Sequence, residues 1–212
     1  MDKSSKTKTI FLDIETYYSE DKVKLEDVKV PANYKKEEII QKYKEDNLDK
    51  AWMKTALDPL QGRIYCVGVA VNDGEVNVLH GKNEKDTLEM LENYLSELSY
   101  FKVVAHNGND FDYPFLFFRA IKHGNVSIRN TFSGKDGTQL LDSMRIADGT
   151  SWKTMKSLDK LCKLIGIKGK GDITGDMVPK LILEGRGEEV IPYCGEDIAN
   201  LRKVYLALGE TI

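Results

Sequence analysis

Short apolar runs rich in β-branched residues alternate along this chain with charged stretches whose apolar positions recur every three or four residues. The first run, Thr9–Ile14, follows a polar start at Met1–Lys8 and reads as a strand. Ile64–Val71 and Val76–Leu79 read as two more, joined across Asn72-Asp73-Gly74, a hairpin sequence. Lys85–Leu98 sets Leu88, Leu91, Tyr94, Leu95 and Leu98 on one helical face. Lys102–Ala105 is a short fourth strand, and Tyr113-Pro114 opens a helix to about Lys122, because proline suits a first turn. Leu140–Ile146 fits a strand or a short helix. Ser157–Ile165 is a helix stopped by Gly166, Met177–Leu183 is a short helix, and the last helix runs from near Pro192 to Gly209. Three strands, a helix, a strand and then helices give an α/β chain with an antiparallel beginning.

One region departs from this pattern. Residues 17–62 contain an extended Val30-Pro31-Ala32-Asn33-Tyr34 and a charged segment, Lys35–Leu57, with Ile39, Ile40, Tyr43, Leu48, Ala51 and Trp52 at roughly helical spacing. The expectation is a helix with one packing stripe, ended by Asp58-Pro59.

Composition narrows the picture mainly by exclusion. At 212 residues with no Gly/Ser-rich or Pro-rich linker, residues 1–212 are expected to form a single domain with the helical insertion at about 17–62. No apolar run reaches the ~18–20 residues that span a bilayer, and the start lacks an apolar signal core; the expectation is a cytoplasmic protein without a membrane role. Cys66, Cys162 and Cys194 lack metal-finger spacing, which suits small core residues and argues against zinc. A net charge of −3 offers no global attraction for nucleic acid, so phosphate contacts need local basic patches or bound metal. Lys153, Lys156, Lys160, Lys163, Lys168 and Lys170 form one such stretch, whose default reading is a solvated face. Ser133-Gly134-Lys135-Asp136-Gly137-Thr138 lacks the spacing of a Walker phosphate loop.

The candidate chemistry is acidic. In Asp13-Ile14-Glu15 the strand alternation puts both carboxylates on one face, where like charges are unfavourable unless a cation joins them. Asn107-Gly108-Asn109-Asp110-Phe111-Asp112 follows the carboxyl end of a strand, where α/β sheets tend to place ligands. Asp112 is equally a helix N-cap candidate and Asp110 a turn residue. Tyr193 and Asp197 lie one turn apart on the last helix, where Asp197 also suits the macrodipole.

In this order the motifs resemble the four-carboxylate (DEDD) 3′-to-5′ exonucleases, and among them the proofreading exonuclease domain of family B DNA polymerases: Asp13-Ile14-Glu15, then Asn107 with three residues before Phe111-Asp112, then Tyr193 with three before Asp197. Leu141-Asp142-Ser143-Met144 is similar to the acid-bearing segment between the second and third motifs. The insertion, from Pro31-Ala32-Asn33-Tyr34-Lys35 to Ala56-Leu57-Asp58-Pro59, resembles a segment of stand-alone phage and prophage exonucleases. The resemblance implies a ribonuclease H-like fold with a mixed central sheet. It also implies hydrolysis of DNA from the 3′ end, preferably single-stranded, with two magnesium or manganese ions ~3.5–4 Å apart. Asp13, Glu15, Asp112 and Asp197 would hold the ions, Tyr193 would orient the attacking water, and Thr16, Asn107 and Phe111 would contact the terminal nucleotide. Pro192 stands where histidine-type relatives carry their water-orienting residue, so the tyrosine type is implied, and His106 reads as a satisfied core position in preference to a hydrogen-bonding residue near the site. The chain is expected to be either a free-standing nuclease or one subunit of a replication or recombination assembly, whose protein would be its partner. The alternatives are a 3′-to-5′ exoribonuclease of the same superfamily and a non-catalytic nucleic-acid-binding accessory.

Overall fold

The computed structural model describes residues 7–149, 156–169 and 171–212; Lys153 and Lys170 of the basic stretch lie outside them. Five strands form one mixed sheet in the order β3-β2-β1-β4-β5. β1 (Lys8–Tyr17) pairs antiparallel with β2 (Arg63–Val71), and β2 with β3 (Asn77–Leu79). β4 (Phe101–Ala105) runs parallel to β1, and β5 (Gln139–Asp142) parallel to β4. The central β1 is covered on both sides, so its apolar run is nearly continuous. Ile10, Leu12 and Ile14 pack into a core with α2 (Glu84–Ser96), α3 (Asp112–His123) and α4 (Val126–Phe132). Phe11 faces the other layer, built by α6 (Leu158–Leu164) and α8 (Val190–Ala207). α7 (Val178–Leu183) and the start of α8 close a third cluster over Cys66.

Two strand details position the site. Glu15 pairs with Cys66 but Thr16 pairs with Ile64, so Tyr65 is an extra residue on β2, a bulge that bends the end of the hairpin. The parallel ladder between β1 and β4 stops at Phe11, leaving the end of β1 unpaired on that side.

The strands and most helices fall where the sequence pattern puts them, with three differences. Leu140–Ile146 is both alternatives in turn: β5 ends at Asp142 and α5 (Ser143–Asp148) starts at once, with the Asp142 carboxylate accepting from the Met144 amide at 2.9 Å. α4 had no sequence signal, since its Val, Ser, Ile, Asn and Thr are indifferent helix formers. Burial of Ile128 and Phe132 holds it, and Glu92 of α2 accepts from the Ser127 amide at 2.8 Å and from Asn125 Nδ2 at 2.9 Å.

The third difference is the insertion. α1 (Glu37–Lys54) forms with a shallow version of the expected packing stripe: Trp52 is buried and Ile40, Tyr43, Leu48 and Ala51 are half-buried, whereas Ile39 is 45% exposed. Mid-helix contacts are light, with the Tyr43 ring 5.2 Å from that of Tyr34 and Lys44 Nζ donating to the Glu26 carbonyl at 3.5 Å, and the carboxyl end is held more firmly. Trp52 Nε1 donates to the Ser19 carbonyl at 2.9 Å, the Ser19 amide donates to Thr55 Oγ1 at 2.7 Å, and the Tyr18 and Trp52 rings lie 4.1 Å apart. Among the described residues no helix is long and apolar enough to cross a membrane. Cys66, Cys162 and Cys194 are free and buried.

Candidate active site

β1 changes chemistry midway along one face: Phe11 is apolar, and Asp13 and Glu15, two and four residues further, carry acids on the same side. α8 crosses this face closely enough for its side chains to reach them. Gly68, opposite Asp13 on β2, makes the approach possible, because a Cβ there would sit 2.7 Å from Ile198 Cγ1 and 2.9 Å from Cys194 Sγ. On α8, Tyr193 and Asp197 stand one turn apart and buried, and the Tyr193 hydroxyl donates to the Asp197 carboxylate. Burial first, then the charges of Glu15, Asp197 and Asp13, and then the Asp197 hydrogen bond raise Tyr193 far above the usual phenol range. Cys194 Sγ, one residue past Tyr193, lies 3.9 Å from Asp13 Oδ2, so the first and third motifs meet.

Asp112 enters from the opposite direction. It is the first residue of α3, with Phe111 in the N-cap position, so the N-cap reading of its side chain is corrected. Its Oδ1 instead accepts from the Ile14 amide at 3.1 Å, an amide left open where the β1–β4 ladder ends. This bond sets Asp112 beside the Asp13–Glu15 pair. Burial pushes the Asp112 carboxyl up to about 7, against the Ile14 and Asp112 amides and with the charge of Asp142 adding to the rise.

The loop before α3 is held by Asp142. The Asn107 and Asn109 amides donate to its two carboxylate oxygens at 2.9 and 3.2 Å. This role was missed by sequence reasoning, which noted Asp142 only as part of a family-like segment; an acid at a strand end before a helix start was the signal for it. Gly108 fits under the loop with no room for a Cβ, which would meet Ala105 Cβ and Tyr113 Cζ at 2.7 Å. Asn107 adopts φ +65°, and its Oδ1 is buried without a hydrogen-bond partner. An orphaned acceptor beside the acids is suited to a ligand donor.

The other predicted contacts are less open. The Thr16 hydroxyl donates to the Ala56 carbonyl at 2.6 Å, tying the insertion to β1. Phe111 is half-buried against the core, its ring 5.5 Å from that of Phe115. Phe115 is fully buried, whereas Phe118 is 38% exposed. Asp110 forms a 2.6 Å ion pair with Arg145. His106 is engaged at both ring nitrogens, by Ser143 Oγ at 2.9 Å and the Lys156 carbonyl at 2.7 Å. Lys156 lies 3.7 Å from Asp148 and Lys163 pairs with Asp159, so these two lysines of the basic stretch serve local acids.

Of the donors gathered here, the Asp13 and Glu15 carboxylates are the ones that suit a hard divalent ion. Oxygens of Asp13 and Glu15 and the sulfur of Cys194 all lie within 4.8 Å of one another, with Cys194 Sγ 3.9 Å from Asp13 Oδ2. Carboxylate oxygens are the ligands that magnesium and manganese prefer. Burying several acids together is costly without such a charge.

Acids on the central strand of a mixed five-stranded sheet, met on the same face by a helix-borne Tyr and Asp, define an α/β protein with a carboxylate site and the ribonuclease H-like fold. The fold is shared with the family B DNA polymerase from the hyperthermophilic archaeon Pyrobaculum calidifontis, at a TM-score of 0.63 and 18% identity over 95% of this chain. The chain spans only 24% of that polymerase's length. A family described as predicted 3′-5′ exonucleases related to the exonuclease domain of PolB matches residues 61–210, and the chain belongs to it. The matched span includes Asp112, Tyr193 and Asp197, while Asp13 and Glu15 precede it. No curated protein matches the chain.

Proposed function

We propose that this protein is a divalent-metal-dependent exonuclease that shortens DNA one nucleotide at a time from a single-stranded or frayed 3′ end, residues 1–212 acting as one exonuclease domain. The observation that carries this reading is the meeting of Asp13 and Glu15 with Tyr193 and Asp197 in one buried negative field, with Asp112 hydrogen-bonded to the peptide between the first two. Asp13 and Glu15, whose carboxylates lie close together, would hold magnesium or manganese with Asp112 and Asp197 completing a two-ion site. When bound, such ions neutralise the phosphate, acidify water and stabilise the departing oxygen.

The chain's own residues then have distinct tasks. Tyr193, held by Asp197, orients the attacking water; its raised pKa makes it a donor rather than a base at neutral pH. Asn107, whose buried carbonyl oxygen lacks a partner, turns it to the terminal nucleotide on binding, Phe111 borders that nucleotide, and Thr16 shapes the pocket through its backbone because its hydroxyl is already used. Water adds to phosphorus, the bond to the neighbouring 3′ oxygen breaks, and a 5′-mononucleotide leaves a strand with a new 3′ hydroxyl. The exposed α1 is available for a replication or recombination protein.

The test uses 5′-labelled DNA and RNA, single- and double-stranded, with magnesium, manganese or chelator. A metal-dependent ladder from the 3′ end of DNA, lost in Asp13→Ala, is expected. Preferential shortening of RNA identifies an exoribonuclease, and metal-dependent binding without cleavage an accessory protein.

A further inference from the structure

Beside the acids, the hairpin end of β1 and β2 carries a cation that the proposed chemistry does not use. Arg63 is the cross-strand partner of Tyr17, which lies two residues past Glu15. Two residues of strand are about 6.6 Å and return to the same face, so Tyr17 and Arg63 stand on the acid side of the sheet. The Tyr65 bulge agrees: Tyr65 packs against the cluster containing Tyr193, and its ring lies 5.9 Å from that of Tyr17.

Arg63 is held rigidly by groups that leave most of its donors unused. Its guanidinium carbon lies 4.2 Å from the Tyr17 ring centroid and 5.9 Å from that of Tyr18. Nε donates to the Tyr18 carbonyl at 3.0 Å. Among the described residues no acid pairs with it and its two terminal nitrogens have no hydrogen-bond partner. The nearby Glu84 is taken by Arg119 and His123. A half-buried guanidinium fixed by one nitrogen and a ring face presents a forked pair of N–H groups, which matches a phosphate. Tying down the insertion needs only one of its five donors.

The geometry points to Arg63 as a phosphate-binding residue for single-stranded DNA, gripping a backbone phosphate upstream of the terminal nucleotide. The inference rests on the exonuclease reading for the identity of the strand, and on β1–β2 geometry for the contact. The rings of Tyr17 and Tyr18 keep the guanidinium plane fixed, so the strand meets an oriented donor instead of a mobile lysine. Affinity, more than chemistry, is what such a contact controls.

Binding of a 5′-fluorescein oligothymidylate by fluorescence anisotropy, in calcium across a salt series, tests it. Arg63→Gln is expected to weaken binding about tenfold at low salt and to make the log–log salt dependence shallower by about 0.7. Arg63→Lys restores the slope but only part of the affinity, because the charge returns without the fork. A folded Arg63→Gln with unchanged affinity and slope overturns the contact. The wild-type protein supplies a measurement free of folding effects: oligothymidylate should protect Arg63 from phenylglyoxal, read by peptide mass, and equal modification with and without the strand overturns the proposal. If the wild type binds DNA in an Arg63-dependent way yet shortens no strand, the exonuclease reading fails and the phosphate contact stands. If it shortens DNA with an affinity indifferent to Arg63, the contact alone fails.

Discussion

Two buried acid sites flank the end of β1, and they solve the same problem in opposite ways. On the α3 side, burial pushes Glu84 up, but hydrogen bonds from Arg119 and the Ile64 amide, the charge of Arg119 and the hydrogen bond to His123 more than reverse it, leaving its carboxyl below the usual range. Arg119 contributes a two-pronged contact at 2.8 and 2.6 Å and is itself only 2% exposed. At the start of α3 itself, Asp112 is just as buried but has amides as its partners, and its carboxyl is pushed up to about 7. The first site is complete within the chain. The second is chemically suited to receiving a cation, and this contrast separates a structural charge from a functional one better than burial does.

The contrast can be broken most severely at the complete site. Arg119→Ala leaves Glu84 buried without its main partner and should cost about 3–5 kcal/mol of stability by urea denaturation. The same contact makes stability pH-dependent: because the Glu84 pKa is lowered on folding, its contribution is present above about pH 4.5 and is lost as pH falls through the folded value. At the acid site the effect should appear in rate rather than folding. Asp13→Ala should lower exonuclease activity by more than ~100-fold, since even outer-shell changes at metal sites cost 10–100-fold, while the metal-free melting temperature stays level or rises. Tyr193→Phe, which loses the hydroxyl but keeps the ring, should lower kcat by about tenfold or more and largely spare metal affinity by isothermal titration. Equal rates would remove the positioning role.

A smaller effect sharpens the comparison through pH. The Asp112 carboxyl rises from 3.8 to about 7 on folding, so the metal-free protein should lose stability as pH rises between those values and change little from this group above them. Asp112→Asn keeps an acceptor for the Ile14 amide and should flatten that loss, raising the metal-free melting temperature at pH 8 by about 2–4 °C or more. The smallest effect is expected in the insertion: Ile39→Ala should change stability by less than about 0.5 kcal/mol, because the side chain is largely solvated.

The strands were legible because alternation fixes faces, and the same rule placed Asp13 and Glu15 together. Tyr193 and Asp197 were legible for the analogous helical reason. The bond that sets Asp112 was not, since it depends on where the β1–β4 ladder stops, and no local pattern encodes the end of a pairing between strands so distant in sequence. α4 was hidden because its stability comes from Ile128, Phe132 and the Glu92 carboxylate rather than from its own propensities. The insertion was legible in outline but not in depth. Apolar residues at helical spacing correctly indicated α1 and the side it packs on, but not that most of that side is only half-buried while Ile39 stays exposed.

The junction of that insertion has a consequence for how the chain can change. Residues 18–62 leave β1 after Tyr17 and return at Arg63, its cross-strand neighbour, so the whole excursion is topologically the loop of one hairpin. Its length is therefore nearly independent of the sheet, and each doubling of such a loop costs only ~0.6 kcal/mol in closure entropy. The segment can be exchanged like a cartridge, with Tyr17 and Arg63 as the fitting, without shifting the register that aligns Asp13 and Glu15.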